Sequence, residues 1–189
     1  MTLFIDFGRR LLALLALIAL IPVNLVIALL LRFLQGKGVL FRQSRSGYRG
    51  STFTLVKFRT MRDLRDADGQ LLDDADRVTG IGTFLRKSRL DELPSLWNVV
   101  TGDIAIVGPR PLLPETIASL GERGVRRGSV HPGLTGWAQV SGNTLLSLDE
   151  KIDLDLWYID NGNWQTDLGI LVSTVSVMVA GEKRRRRLT

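Results

Sequence analysis

The stretch LLALLALIALIPVNLVIALLL, Leu11–Leu31, restricts this chain more than any other feature. An apolar run of this length is long enough to cross a bilayer. At about 1.5 Å per helical residue it reaches roughly 31 Å, close to the thickness of a bilayer's hydrocarbon layer. Yet Pro22 and Asn24 sit at its midpoint. Pro22 lacks an N–H, frees the carbonyl of Ile18 and collides with the preceding turn, and Asn24 is placed to donate to such a freed carbonyl. Both flanks are basic: Arg9 and Arg10 precede the run, and Arg32, Lys37, Arg42, Arg45 and Arg49 follow it. Positive charge stays on the cytoplasmic side of a membrane, so two basic ends argue for a run that turns back. A kinked helix that crosses fully stays open as the alternative, because membrane helices tolerate proline. A signal peptide fits less well, since the run is too long and no A-x-A-type site follows it.

With residues 1–36 assigned to this segment, residues 37–189 form one domain of ordinary size. The chain has no Cys, which excludes disulfides and thiolate metal sites. His131, the one histidine, precedes Pro132 in a Gly/Pro-rich stretch. A histidine-based metal site is thereby excluded, and His131 reads as a loop residue. Formal net charge is +6, with much of the excess beside the apolar run and in the tail EKRRRRLT. Basic residues there suit an anionic leaflet. Nucleic acid is the rival partner, but no aromatic side chains are interleaved with the basic ones, so no nucleic-acid partner is expected.

The stretch GVLFRQSRSGYRGSTFTLVKFRTM predicts a β-hairpin. Its second arm carries Lys57 and Arg59 on one face, where two cations either hold a phosphate or face solvent. RDLRDADGQLLDDADRVTG reads as a mobile surface loop with a short helix, and its acids lack the calcium-loop spacing. IGTFLRKSRLDELPSLWNVVTGD has helical periodicity, with Ser88 and Asp91 spaced as a capping pair and Pro94 early in a second helix. Asp91 and Glu92 then fall near a helix N-terminus, which favours ionised carboxylates, as do Arg86, Lys87 and Arg89. Acids at helix starts are mostly structural, although an ionised Asp beside cations also serves as a nucleophile toward phosphorus or as a magnesium ligand. In GDIAIVGPRPLLPE, two prolines hold the backbone around Arg110, whose planar fork suits phosphate oxygens unless the loop is merely stiff. HPGLTGWAQVSGN places Gly133, Gly136 and Gly142 around Trp137 and Gln139, where glycines permit turns or close approach to a ligand.

Together, KFRTM, RLDELPSLWNV, GDIAIVGPRP, PGLTGWAQVSG and DLWYIDN resemble the small monotopic phosphoglycosyl transferases of bacteria, over nearly the whole chain. The resemblance implies transfer of a sugar 1-phosphate from a nucleotide sugar, with UDP expected, to a polyprenol (undecaprenyl) phosphate. It implies a place at the cytoplasmic face of the bacterial inner membrane, at the first membrane step of glycan assembly, with phospholipids as further partners. The implied fold is α+β and mostly helical, with a re-entrant N-terminal helix, a small β-hairpin sheet and amphipathic interfacial helices. By motif, Asp91 is the nucleophile that forms a phosphosugar-aspartyl intermediate, and also a ligand of Mg2+. Glu92 assists the acceptor phosphate or supports the metal. Arg110, Lys57, Arg59, Arg86, Arg89 and Gln139 are expected to bind substrate. Asp160 and Asp167 lie in matching regions without an assigned role. The family often has Ser before the helix-breaking Pro where Ile21 stands here, which leaves Asn24 as the natural substitute. TDLGILVSTVSVMVAGE suits either an interfacial or a core helix. The alternatives are a membrane-tethered scaffold that binds anionic lipid without catalysis, and single-step transfer without a covalent intermediate; a homodimer is compatible with each.

Overall fold

Pro22 breaks the apolar run into two helices, α1 (Thr2–Ala19) and α2 (Ile21–Gln35). They are bent by 57° in a computed structural model, which describes the backbone of residues 2–183 and the side chains of residues 7–183. The expectation for the tail from Arg184 onward lies outside the described residues. Asn24 does not take up the freed Ile18 carbonyl: its Nδ2 donates to the Leu20 carbonyl at 2.9 Å, which also accepts the Asn24 backbone N–H at the start of α2. A side chain reaching back one turn meets the residue four before it, which for Asn24 is Leu20. Among the described residues no single helix is long and apolar enough to cross a membrane, and the bent pair passes that test only with both halves taken together.

One face of this pair is packed into protein. Ala13 is buried with Val99 and Ile104, and Ile27 and Leu31 with Phe58 and Leu85. The other face is bare, with Leu12, Ile18, Leu25, Val26, Leu29 and Phe33 each more than half exposed.

The expected hairpin forms from β1 (Leu40–Ser46) and β2 (Thr52–Phe58), antiparallel with Leu40 opposite Phe58 and Ser46 opposite Thr52. The charged segment after Met61 lies on the surface, holds the short helix α3 (Asp74–Arg77) and is pinned by bridges from Met61 to Val78 and Arg65 to Leu71. Helix α4 (Gly80–Lys87) follows, capped by the Thr79 side chain, which accepts from the Gly82 N–H. A Cβ on Gly82 would lie 1.9 Å from the Thr60 carbonyl oxygen, so α4 sits directly on the strand exit. The capping pair read at Ser88 and Asp91 is not formed. Ser88 ends α4 instead, and its hydroxyl donates to the Phe84 carbonyl at 2.8 Å. Arg89 then takes a left-handed φ of 58°, and the chain enters a 3-10 segment, Leu90–Ser95, before α5 (Leu96–Thr101).

Strand β3 (Ala105–Val107) leads into the proline-flanked loop, α6 (Pro114–Ser119) and α7 (Glu122–Arg127). It pairs in parallel with β4 (Gly133–Thr135), which precedes α8 (Trp137–Val140). The glycines here let backbone approach backbone: a Cβ on Gly133 would lie 2.1 Å from the Gly108 nitrogen, and one on Gly136 2.1 Å from the Gly108 oxygen. The close approach expected of them is to the loop around Arg110. Helix α9 (Leu148–Asn161) starts with a full capping box between Ser147 and Glu150. Helix α10 (Trp164–Ala180) buries Ile170 and Ser173 and leaves Leu168, Val172, Val175 and Val179 more than half exposed. The chain is therefore mixed α+β, mostly helical, with two small two-stranded sheets among the described residues.

Candidate active site

Strand β2 delivers Lys57, and the residue just past its end, Arg59, to a cavity of about 730 Å³. Arg86 and Arg89 reach it from α4 and the turn after it, Asp91 and Glu92 from the 3-10 segment, and Arg110 from the proline-flanked loop. Seven of the eight residues singled out for catalysis or substrate binding thus converge. The eighth, Gln139, does not line this cavity. It is buried in α8, where its amide nitrogen, Nε2, donates to the Leu134 carbonyl at 3.0 Å.

Glu92 is the electrostatic centre. Its Oε1 accepts from Lys57 Nζ at 2.9 Å and from Arg110 Nη2 at 2.7 Å. Burial by itself would raise this carboxyl, but Arg110 and Lys57 together draw it down to about 2. Asp91 moves the opposite way: burial first, then the charge of Glu92, raise it against the weaker opposing pull of Lys57, Arg110 and Arg86. The sequence predicts both acids ionised, favoured by a helix start and by Arg86, Lys87 and Arg89. For Glu92 the ionised form is held by two side chains, and for Asp91 burial and a like charge outweigh the cations. No described residue donates a hydrogen bond to the Asp91 carboxylate, so its oxygens are open to the cavity. Neighbouring acids pushed in opposite directions are suited to different tasks.

The remaining cations are anchored. Arg59 Nη2 donates to the Gln35 carbonyl at 3.0 Å, which satisfies the C-terminal end of α2 and ties the apolar helix pair to the cavity wall. Arg86 Nε donates to Thr60 Oγ1 at 2.8 Å, and Arg89 Nη2 to Glu182 Oε1 at 3.1 Å. Asp160 and Asp167 lie elsewhere. Asp160 takes both oxygens to Arg126 on the surface, and Asp167 accepts from the Tyr158 hydroxyl at 2.7 Å. His131 is a packing residue, stacked on Tyr48 with ring centroids 4.4 Å apart.

Two features escaped the sequence reading. Arg127 and Asp155 form a buried pair, Nε to Oδ2 at 2.8 Å, and Arg127 Nη2 also donates to the carbonyl of Arg110. Burial pushes the Asp155 carboxyl up to about 6 against the pull of Arg127. This pair fixes from behind the loop whose guanidinium holds Glu92. The available signal was Asp155 three residues after Ile152, an acid on the buried face of a helix. The second is Glu182, which lines the cavity from beyond the end of α10. Among the described residues, no group of three or more His, Cys, Asp or Glu is arranged to hold a metal ion.

The model of the bacterial sugar transferase family matches residues 4–181. The chain is 48% identical over 147 residues to the uncharacterized sugar transferase EpsL of Bacillus subtilis, covering 78% of this chain and 73% of the relative. It is 39% identical over 186 residues to the UDP-glucose:undecaprenyl-phosphate glucose-1-phosphate transferase of Xanthomonas campestris pv. campestris, covering 92% of this chain and 38% of the relative. A protein of the same description from Escherichia coli is 38% identical over 174 residues, covering 87% of this chain and 38% of the relative. The chain spans well under half the length of these last two.

Proposed function

The chain belongs to the bacterial sugar transferase family, and from that premise we propose that it moves a sugar 1-phosphate from a UDP sugar to undecaprenyl phosphate through a covalent intermediate on Asp91. The observation that carries this reading is the division of labour in the acid pair: Glu92 is engaged by two cations, while no described residue hydrogen-bonds Asp91. An Asp91 oxygen attacks the sugar-bearing phosphorus, and the bond to the bridging oxygen breaks with release of UMP. A phosphate oxygen of the lipid then attacks the same phosphorus and frees the carboxylate. Lys57, Arg59, Arg86 and Arg110 give the cavity the positive field that a diphosphate needs.

Magnesium fits this site as an ion shared with the substrate. Mg2+ commonly takes one or two carboxylates and completes its shell with water and phosphate oxygens, and Asp91 lines the cavity with a carboxylate that no described residue hydrogen-bonds. When bound there, the ion would neutralise charge on the diphosphate.

The bare faces of α1, α2 and α10 support a monotopic attachment to the cytoplasmic leaflet of the inner membrane. The 57° break and the two basic flanks favour re-entry over crossing. Arg59, bonded to Gln35, links that attachment to the cavity. A polyprenol phosphate presents its charge at headgroup depth, where an attached bent helix pair would hold the cavity.

The function is tested by UMP release from UDP sugars with and without undecaprenyl phosphate. Without lipid, release should stop at one UMP per protein, and continued release that depends on the lipid is expected, whereas vesicle binding without release supports the scaffold. Topology is tested separately. Tags at both termini should remain inaccessible from the periplasm of intact cells, and Pro22→Leu with Asn24→Leu should move the N-terminal tag to the periplasmic side. If the double variant keeps both ends inside, flanking charge rather than the bend controls topology.

A further inference from the structure

The chain turns sharply where α10 ends. Gly181 has φ 80°, in the region that favours glycine, and its N–H closes the helix on the Val177 carbonyl at 2.9 Å. The next residue, Glu182, lies over the cavity that holds Asp91. Both of its oxygens are engaged. Oε1 accepts from Arg89 Nη2 at 3.1 Å and from Asn143 Nδ2 at 2.5 Å. Oε2 accepts from the Thr144 backbone N–H at 3.2 Å and from the Thr144 hydroxyl. One fixed positive charge and three neutral donors, drawn from two distant segments, meet on a single anion. Asn143 makes its contribution with φ 41°, a left-handed conformation that non-glycine residues adopt at a cost.

These donors suit a phosphate better than a carboxylate. A terminal phosphate offers three oxygens and up to two charges to an arginine and its neighbouring donors. We infer that Arg89, Asn143 and Thr144 form a phosphate-binding subsite of the cavity, and that the Glu182 carboxylate occupies it as an internal stand-in that a substrate phosphate displaces. The inference rests on the transferase reading for the source of that phosphate, whether nucleotide or lipid, but not for the subsite itself. An internal occupant weakens the apparent affinity of an incoming ligand by the fraction of molecules in which the subsite is free.

The test is calorimetric titration of the full chain, its Glu182→Gln and Glu182→Ala variants, and Glu182→Ala combined with Arg89→Ala. The ligands are inorganic diphosphate, UDP, and undecaprenyl phosphate in detergent micelles. For a subsite filled nine times in ten, both single variants should bind inorganic diphosphate about tenfold more tightly, and adding Arg89→Ala should abolish the gain. A gain with UDP alone among the two organic ligands assigns the subsite to the nucleotide sugar, and a gain with undecaprenyl phosphate alone assigns it to the acceptor. A second measurement needs no variant. Inorganic diphosphate added to the unaltered protein should speed deuterium exchange in the peptide spanning Gly181–Lys183. Unchanged or weaker binding of all three ligands by folded variants, or unchanged exchange in that peptide, overturns the inference and leaves Glu182 as a structural latch. Tighter diphosphate binding without any sugar-phosphate transfer would instead overturn the function proposed above and leave the subsite standing.

Discussion

Asn in place of Asp91 should abolish any covalent adduct and lower turnover by roughly 10³-fold or more, the scale expected when a nucleophile is removed. The same substitution should leave the fold intact. No described residue hydrogen-bonds this carboxylate, and burial together with Glu92 raises it. A carboxyl raised in the folded state destabilises that state when ionised, so Asp91→Asn should melt at the same temperature as the unaltered protein or slightly above it. Quenched enzyme incubated with UDP sugar and magnesium should gain the mass of one sugar phosphate on the peptide containing Asp91. Near-normal turnover by the variant would remove Asp91 as nucleophile. Intersecting kinetic lines with no adduct would point to single-step transfer through the same cavity.

Glu92→Gln should damage both activity and stability. It leaves Lys57 and Arg110 facing one another without the anion that joins them, and stripping the anion from such a partly buried pair costs about 2 kcal/mol, between the exposed and the fully buried cases. Turnover should fall by about 10²-fold through lost positioning. The pH dependence separates this from simple misfolding. The Glu92 carboxyl lies at about 2 in the folded chain, against 4.5 ordinarily. Its stabilisation is therefore complete above pH 4.5 and is lost as pH falls from there toward 2. Asp155, raised to about 6, has the opposite sign: its contribution grows more favourable as pH falls from about 6 toward 3.8. That change is common to both proteins and cancels in their difference. The gap in melting temperature should therefore be widest near neutrality and narrow below pH 4.5. A gap that stays constant down to pH 3 would show that Glu92 is not held by these cations.

Much of this arrangement was legible in the sequence because its signals are local. Alternation marked the hairpin, proline marked both the helix break and the rigid loop, and the acid pair stood among basic neighbours. What was not legible depends on contacts between distant segments. Ser88 followed by Asp91 satisfies a capping pattern, yet the left-handed turn at Arg89 separates the two. Gln139 carries a side chain fit for a ligand, but it lies buried in α8 with its amide bonded to the Leu134 carbonyl. The opposite shifts of Asp91 and Glu92 could not be read from two adjacent letters: burial and the charge of Glu92 raise Asp91, while Arg110 and Lys57, which arrive from a loop and a strand far apart in the chain, draw Glu92 down. Glu182 had no motif to announce it.

The docking of α1 has a consequence for the order of synthesis. Ala13 is buried by Val99 and Ile104, and Asp167 lies 4.0 Å from Arg9. The apolar segment therefore leaves the ribosome well before the residues that cover its inner face, which lie far downstream in the chain. Through that interval its contacts are non-local and unavailable, the condition in which nascent chains aggregate. Early delivery of the helix pair to a bilayer would shelter its outer face, and the polar remainder could then assemble against a partner already held in place.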